Sequence, residues 1–138
     1  MLKARYPIIA ACIFAVWHIT CHVFNLYFEI WWSDIVAHFI AGATAALILW
    51  WIIDNRSGVD RSASPKIVSL SLLSFATFIS VLWEFWEYSN WRFAFLRNTI
   101  GRIQLQYYPF LGNNLGDILW GLLGGFTVAI IALFVRRK

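Results

Sequence analysis

Four long apolar runs, separated by short polar stretches, are the feature that most restricts how this chain can fold. The runs cover residues 7–28, 34–53, 67–88 and 115–135. Each is close to the ~20 apolar residues that an α-helix needs to cross the hydrocarbon core of a bilayer. We therefore predict an all-α polytopic membrane protein, a four-transmembrane-helix bundle in which residues 1–138 form a single transmembrane domain.

The composition excludes the main alternatives to a membrane protein. The 138 residues are 61% hydrophobic and 13% charged, whereas soluble domains contain roughly 45–50% apolar and about 25% charged residues. The 19% of aromatic residues argues against intrinsic disorder. Cys12 and Cys21 lie nine residues apart, which is about 13 Å along one helix and too far for a disulfide.

The distribution of basic residues predicts the orientation in the membrane. Eight of the 11 Lys and Arg residues lie in the N-terminal segment, residues 54–66 and the C-terminal segment. Positive charge concentrates on the cytoplasmic side of membrane proteins. We therefore expect a multi-pass protein of the inner (plasma) membrane with both termini in the cytoplasm. Its expected partners are membrane lipids, and nucleic acid is not among them.

The three remaining arginines lie between the third and fourth runs, on the predicted outer side. Arg92, Arg97 and Arg102 alternate with apolar residues, which predicts an interfacial or re-entrant segment within residues 90–112, before the last helix. Guanidinium groups suit phosphate and carboxylate, so the arginines could hold an anionic substrate. They could equally extend to lipid headgroups. Both interpretations remain open at this stage.

Ionisable residues at the predicted outer ends of the spans form the candidate site. Such residues are costly inside a bilayer, so their presence there indicates function. Helical spacing places a carboxylate and an imidazole four residues apart on one span and two glutamates three residues apart on the next, each pair on one helix face. Near the start of another span, an aspartate is followed on the same helix face by two glycines, Gly121 and Gly124. The five residues are Asp34, His38, Glu84, Glu87 and Asp117.

This combination of residue types predicts a divalent metal ion. Helical bundles build carboxylate-rich metal sites from side chains that face one another. Because the set contains an imidazole as well as carboxylates, zinc, iron and manganese are favoured over magnesium. Asp34 and Asp117 could instead be ordinary acids at helix N-termini. The two glutamates could also pair with the outer arginines.

The same residues resemble a known group of proteins. Asp34-Ile-Val-Ala-His38-Phe-Ile-Ala-Gly42 resembles the D-x-x-x-H-F-x-x-G signature of the VanZ-like and YjdF-like small bacterial membrane proteins. The pair Glu84 and Glu87 resembles the E-x-x-E/Q that follows it there, and Asp117 resembles the late aspartate that opens the last helix. The resemblance covers about residues 31–125 and implies a four- to six-helix protein of the inner membrane. This chain departs from it in having Trp120 and Gly121 where VanZ-like members carry Asn, and Asn113 where YjdF-like members carry Asp.

Three functions are compatible with this pattern. The first is a metal-dependent hydrolase that acts on a lipid-linked or amphipathic substrate, with catalytic roles for Glu84, Glu87 and Asp117. In that case the three outer arginines and His22, near the outer end of the first span, would bind an anionic head group. The second is a proton or cation transporter, because intramembrane acids also mark ion pathways. The third is an accessory structural subunit of a membrane complex, with oligomers possible.

Overall fold

The computed structural model, which describes residues 1–55, 63–92 and 111–136, is built from helices. Within these ranges the chain forms α1 (Arg5–Val23), the short α2 (Leu26–Glu29), α3 (Ser33–Asn55), α4 (Pro65–Arg92) and α5 (Leu111–Val135). Four of them, all except α2, are long and apolar enough to cross a membrane. The predicted all-α bundle of four transmembrane helices is confirmed.

The first span is shorter than the predicted 7–28. Helix α1 ends at Val23, and α2 begins at Leu26 after a break in the helix. Asn25 has a φ of 56°, in the left-handed region that Asn adopts more readily than most residues. The predicted boundary is therefore wrong, because the apolar composition of residues 24–28 continues through a turn. As a result, Glu29 does not lie on the same continuous helix as His22.

Helices α3 and α5 approach each other very closely through small residues. Gly42 of α3 lies against Gly121 of α5, where a Cβ atom on Gly42 would overlap the carbonyl oxygen of Gly121. One turn further along α5, a Cβ atom on Gly124 would overlap the carbonyl oxygen of Phe39. Small residues permit this approach of backbones, which drives packing between helices inside a bilayer. Helix α4 packs against both partners, whereas α1 packs against α3.

The core of the bundle is apolar in the half that is remote from the five predicted site residues. Its buried members come from α3, α4 and α5: Ala46, Trp50, Val68, Leu72, Ala76, Val128, Ala129 and Ala132. Trp50 is only 4% exposed, although a Trp near the end of a membrane-spanning helix commonly faces the lipid interface. It fills the space between helices that the small residues around it leave open. Trp31 and Trp32, at the other end of α3, are exposed as an aromatic belt requires.

Hydrogen bonds join the N-terminal segment to the last residues of α3 and α5. The backbone N–H of Leu2 donates to Asp54 Oδ2 over 2.8 Å, and Arg136 Nη1 donates to Asp54 Oδ1. Asn55 Nδ2 donates to the carbonyl oxygen of Leu2 over 3.0 Å. These segments therefore share one end of the bundle, here called the terminal end, as the charge distribution predicted. Which side of the membrane this end faces stays a prediction.

The connection between α4 and α5 contains most of the predicted interfacial or re-entrant segment. Residues 93–110 lie outside the described residues, and so do the side chains of residues 90–92 and 111–113. The side chains of the three outer arginines, Arg92, Arg97 and Arg102, therefore lie outside the described residues, and the roles expected for them stay predictions. Helix α5 starts at residue 111 rather than at the predicted 115.

Candidate metal centre

Three helices bring the five predicted site residues to the end of the bundle opposite the terminal end. Asp34 and His38 lie one turn apart on α3, Glu84 and Glu87 lie one turn apart on α4, and Asp117 is on α5. The spacing of each pair directs both of its side chains toward the same neighbour. Because α3, α4 and α5 pack together, these side chains meet between the helices. We call this set the five-residue cluster.

Two groups of potential ligands overlap within the five-residue cluster, and both contain His38. Ligand atoms of Asp34, His38 and Asp117 lie within 4.8 Å of one another, and so do ligand atoms of His38, Glu84 and Glu87. Two ligands about 2.0–2.2 Å from one ion are separated by at most about 4.4 Å. The two groups are therefore close to the size of a metal coordination sphere. The structure thus brings together all five residues that the sequence singled out.

The imidazole of His38 lies between carboxylates from two helices. Its Nε2 atom is 3.5 Å from Asp34 Oδ1, and its Nδ1 atom is 3.7 Å from Glu84 Oε1. The side chains of His38 and Glu84 are 6% and 8% exposed, whereas that of Asp34 is 38% exposed. Both separations exceed the ~3.2 Å limit of a good N–H···O hydrogen bond. The ring thus faces an acid on either side without a tight hydrogen bond to either.

The two glutamates of α4 have different surroundings. Glu87 Oε1 accepts a hydrogen bond of 2.9 Å from Trp83 Nε1. Glu84 Oε1 is buried and accepts no hydrogen bond from the described residues. A buried acceptor without a partner costs about 1–3 kcal/mol, and more when it is charged. The oxygen of Glu84 therefore favours the arrival of a cation or a proton.

Trp83 is a residue that sequence reasoning missed. Its ring packs edge-on against His18 and Phe14 of α1, with centroid separations of 5.5 and 6.1 Å. These contacts fix the indole that donates to Glu87. The signal was present in the sequence, because Trp83 and Glu87 are four residues apart and so lie on one helix face.

A chain of polar contacts links α1 to α2 beside the five-residue cluster. His18 Nδ1 lies 2.7 Å from the hydroxyl of Tyr27, and His18 Nε2 lies 3.1 Å from His22 Nε2. Burial raises the pKa of the Tyr27 phenol, so this hydroxyl remains a donor. His22, predicted to bind substrate, is therefore a partner of His18 in this structure. Tyr27 was missed because its approach to His18 depends on the left-handed turn at Asn25.

The positions of the two aspartates within their helices show whether each could simply be an acid at a helix N-terminus. Asp34 lies in the first turn of α3, where a negative charge also interacts favourably with the helix dipole. Asp117 is the seventh residue of α5, beyond its first turn, so the capping interpretation is wrong for this residue. It is also buried. The position of Asp117 therefore calls for a different explanation, and its proximity to His38 supplies one.

Comparisons with known proteins agree with this architecture. No curated protein and no solved structure matches the chain. A family described as a predicted membrane protein, DUF2238, matches residues 5–138, which include the five described helices and every residue of the five-residue cluster. The chain therefore belongs to the DUF2238 family of membrane proteins.

Proposed function

We propose that the five-residue cluster binds a divalent metal ion. The observation that carries the proposal is the position of His38, whose two ring nitrogens face carboxylates on different helices. A histidine that ligates a metal through one nitrogen commonly donates the other N–H to a carboxylate, which orients the ring. Here Asp34, His38 Nε2 and Asp117 would be ligands, and Glu84 would accept the proton of His38 Nδ1.

Electrostatics support a cation at this place. Four carboxylates from three helices meet one imidazole, and His38, Glu84 and Asp117 among these residues are buried. Like charges at such distances in a low dielectric repel strongly, so the acids need protons or a cation among them. One nitrogen and several carboxylate oxygens suit zinc, iron or manganese better than magnesium. A divalent ion would relieve the repulsion among the carboxylates. By orienting the ring of His38, it would also direct the N–H at Nδ1 toward the buried oxygen of Glu84.

We further propose that the site hydrolyses a lipid-linked or amphipathic substrate. A divalent ion there would polarise water and a substrate oxygen. Glu87, held by Trp83 and outside the proposed ligand set, is placed to take a proton from that water as a general base. The partial exposure of Asp34 gives access from the end of the bundle, where lipid head groups would lie. An anionic head group would be held by Arg92, Arg97, Arg102 and His22.

Further proposals concern the family resemblance and the location of the protein. The resemblance to VanZ-like and YjdF-like proteins includes all five residues of the cluster. We also propose that the protein lies in the inner membrane, that both termini are cytoplasmic, and that residues 1–138 form a single domain. A proton or cation transporter is less well supported, because the buried core on the terminal side of the cluster is apolar. An accessory subunit would need no metal at all.

Metal binding tests the proposal directly. The purified protein is stripped with a chelator, reloaded with zinc, manganese or magnesium, and its metal content is measured after gel filtration. We expect about one transition-metal ion per chain, lost in His38→Ala and in Asp117→Asn. Glu29→Gln is the matched control, because Glu29 is an exposed acid outside both ligand groups. Equal metal content in His38→Ala and Glu29→Gln would refute the site.

Activity and transport are then separated by the role of Glu87. A hydrolase requires Glu87→Gln to retain the metal and lose turnover of a lipid-linked ester or phosphoester. A transporter would instead show cation flux in proteoliposomes that depends on Glu84 and proceeds without hydrolysis. Absence of turnover in a metal-loaded protein across ester and phosphoester lipids would contradict the hydrolase while leaving the metal site in place.

A further inference from the structure

A groove opens at the terminal end of the bundle, far from the five-residue cluster. It has a volume of about 830 Å³ and is bounded by α1, α3 and α5. The groove exists because, among the described helices, the backbone of α1 approaches α3 and α2 but neither α4 nor α5. Ligand pockets in proteins commonly have volumes of about 300–1,000 Å³. The groove is therefore large enough for an extended apolar chain.

The walls of the groove are apolar and extend to a limited depth. Ile9 and Ile13 of α1 face Leu47 of α3 and Ile131 of α5 across it. From Tyr6 to Ile13 the groove follows α1 over eight residues, whose seven steps of ~1.5 Å make about 10 Å of helix. One leaflet contributes about 15 Å of a hydrocarbon core that is ~30 Å thick. A groove of this length fits within the thickness of a single leaflet.

The mouth of the groove carries unbalanced positive charge. Asp54 and Arg136, which both line it, form an ion pair and neutralise each other. Lys3 and Arg5 are exposed, and they directly follow Leu2 and precede Tyr6 in the chain, two residues that line the groove. Arg5 is held at the mouth by Tyr6, which lines the groove: its guanidinium carbon lies 5.1 Å from the Tyr6 ring centroid, and Nη2 donates to the hydroxyl over 3.2 Å. An anionic group at the mouth would meet two cations.

We propose that this groove is a binding site for one anionic phospholipid. One of its acyl chains lies in the groove between α1 and α5, and its phosphate contacts Lys3 and Arg5. Basic pockets between transmembrane helices are typical sites for anionic head groups. The bound lipid fills the gap that α1 leaves beside α5 and so supports the position of α1. This site is independent of the proposed metal centre, with which it shares no residue.

Native mass spectrometry tests the proposal with two probes that differ only in the head group. The purified protein is titrated with dioleoyl phosphatidylglycerol and with dioleoyl phosphatidylcholine, and bound lipids are counted. We expect one phosphatidylglycerol to bind preferentially. A basic residue near an anionic surface contributes about a fivefold gain in affinity. The double variant Lys3→Gln/Arg5→Gln should therefore lose roughly 25-fold in phosphatidylglycerol affinity and much less in phosphatidylcholine affinity, because the choline cation offsets the phosphate charge.

A pair of matched variants tests the groove itself. Ala10 lines the groove, whereas Ala15 is exposed on the same helix and lies outside it. Ala10→Phe should fill the groove and weaken both lipids, while Ala15→Phe should bind as the unmodified protein does. Equal binding by the two phenylalanine variants would overturn the proposal. So would equal affinity of the unmodified protein for both lipids. The double variant changes only exposed side chains, so it remains informative if Ala10→Phe does not fold.

Discussion

Replacing Gly124 by Ala tests whether the close contact of α3 with α5 holds the candidate site together. The added Cβ would overlap backbone atoms of Phe39 and Ala43, which cannot turn aside as a side chain can. Gly116, on the same helix, has nothing within 4 Å of the corresponding position. The two substitutions are therefore chemically identical and differ in the space available. Only one of them forces the helices apart.

The expected effects have opposite signs. Ala stabilises a helix interior by about 0.5–1 kcal/mol relative to Gly, and Gly116→Ala should gain that amount. Overpacking costs about 1–3 kcal/mol, which in Gly124→Ala outweighs the same gain and leaves a loss of up to about 2.5 kcal/mol. The free energies of unfolding of the two variants should therefore differ by the overpacking cost, about 1–3 kcal/mol.

Unfolding in mixed micelles, followed by tryptophan fluorescence, measures the stability, and metal titration measures the consequence for the site. Separation of α3 from α5 moves Asp117 away from His38, so we expect Gly124→Ala to lose about tenfold in metal affinity, as changes around metal ligands do. Gly116→Ala should bind metal normally. If both variants shift stability in the same direction by the same amount, the glycine contact does not determine the packing.

Three further predictions concern single contacts. Trp83→Phe keeps the ring but removes the donor to Glu87, so turnover should fall about tenfold while metal content stays constant; loss of metal would contradict the role assigned to Glu87. Arg136→Gln leaves the buried carboxylate of Asp54 without its cationic partner and with only the backbone N–H of Leu2 donating to it, which should cost about 3–5 kcal/mol; an unchanged unfolding free energy would show that the pair is solvated. Burial raises the pKa of Tyr27 in the folded state, because the neutral phenol is favoured there. The contribution of this phenol to the free energy of unfolding should be fully present below pH ~10, the ordinary pKa of a tyrosine, and should decrease as the pH rises above it. Tyr27→Phe should reduce that decrease, and an identical alkaline profile in both proteins would contradict it.

The fold could be predicted because the bilayer leaves a chain few choices. Apolar runs of about 20 residues must become helices, since an unpaired backbone group in lipid is too costly. The exact helix ends could not be predicted in the same way. The end of α1 depends on one left-handed residue, Asn25, within an apolar stretch, and the start of α5 lies within a polar stretch that reads as a loop.

The residues of the candidate site could also be predicted, since helical spacing and the cost of burying acids both select them. What the spacing could not give was the relation between helices. The spacing explains why Asp34 lies beside His38 on α3, but that His38 Nδ1 faces Glu84 of α4 depends on the rotation of each helix. The role of Trp83 depends on rings contributed by α1, which are remote in the sequence. Such contacts follow from packing and leave no local pattern.

The packing of α3 on α5 explains why the candidate site and the tightest backbone contact lie so close together. His38 and Gly42 are one turn apart on α3, as Asp117 and Gly121 are on α5, so each glycine lies directly beneath a site residue. Contact between the two glycines therefore fixes the separation of the side chains above them. Helix α4 then adds its two glutamates from the side, with Ser80 against Gly121. The same small residues that allow the helices to associate thus set the dimensions of the site, and a larger residue at either glycine would change both together.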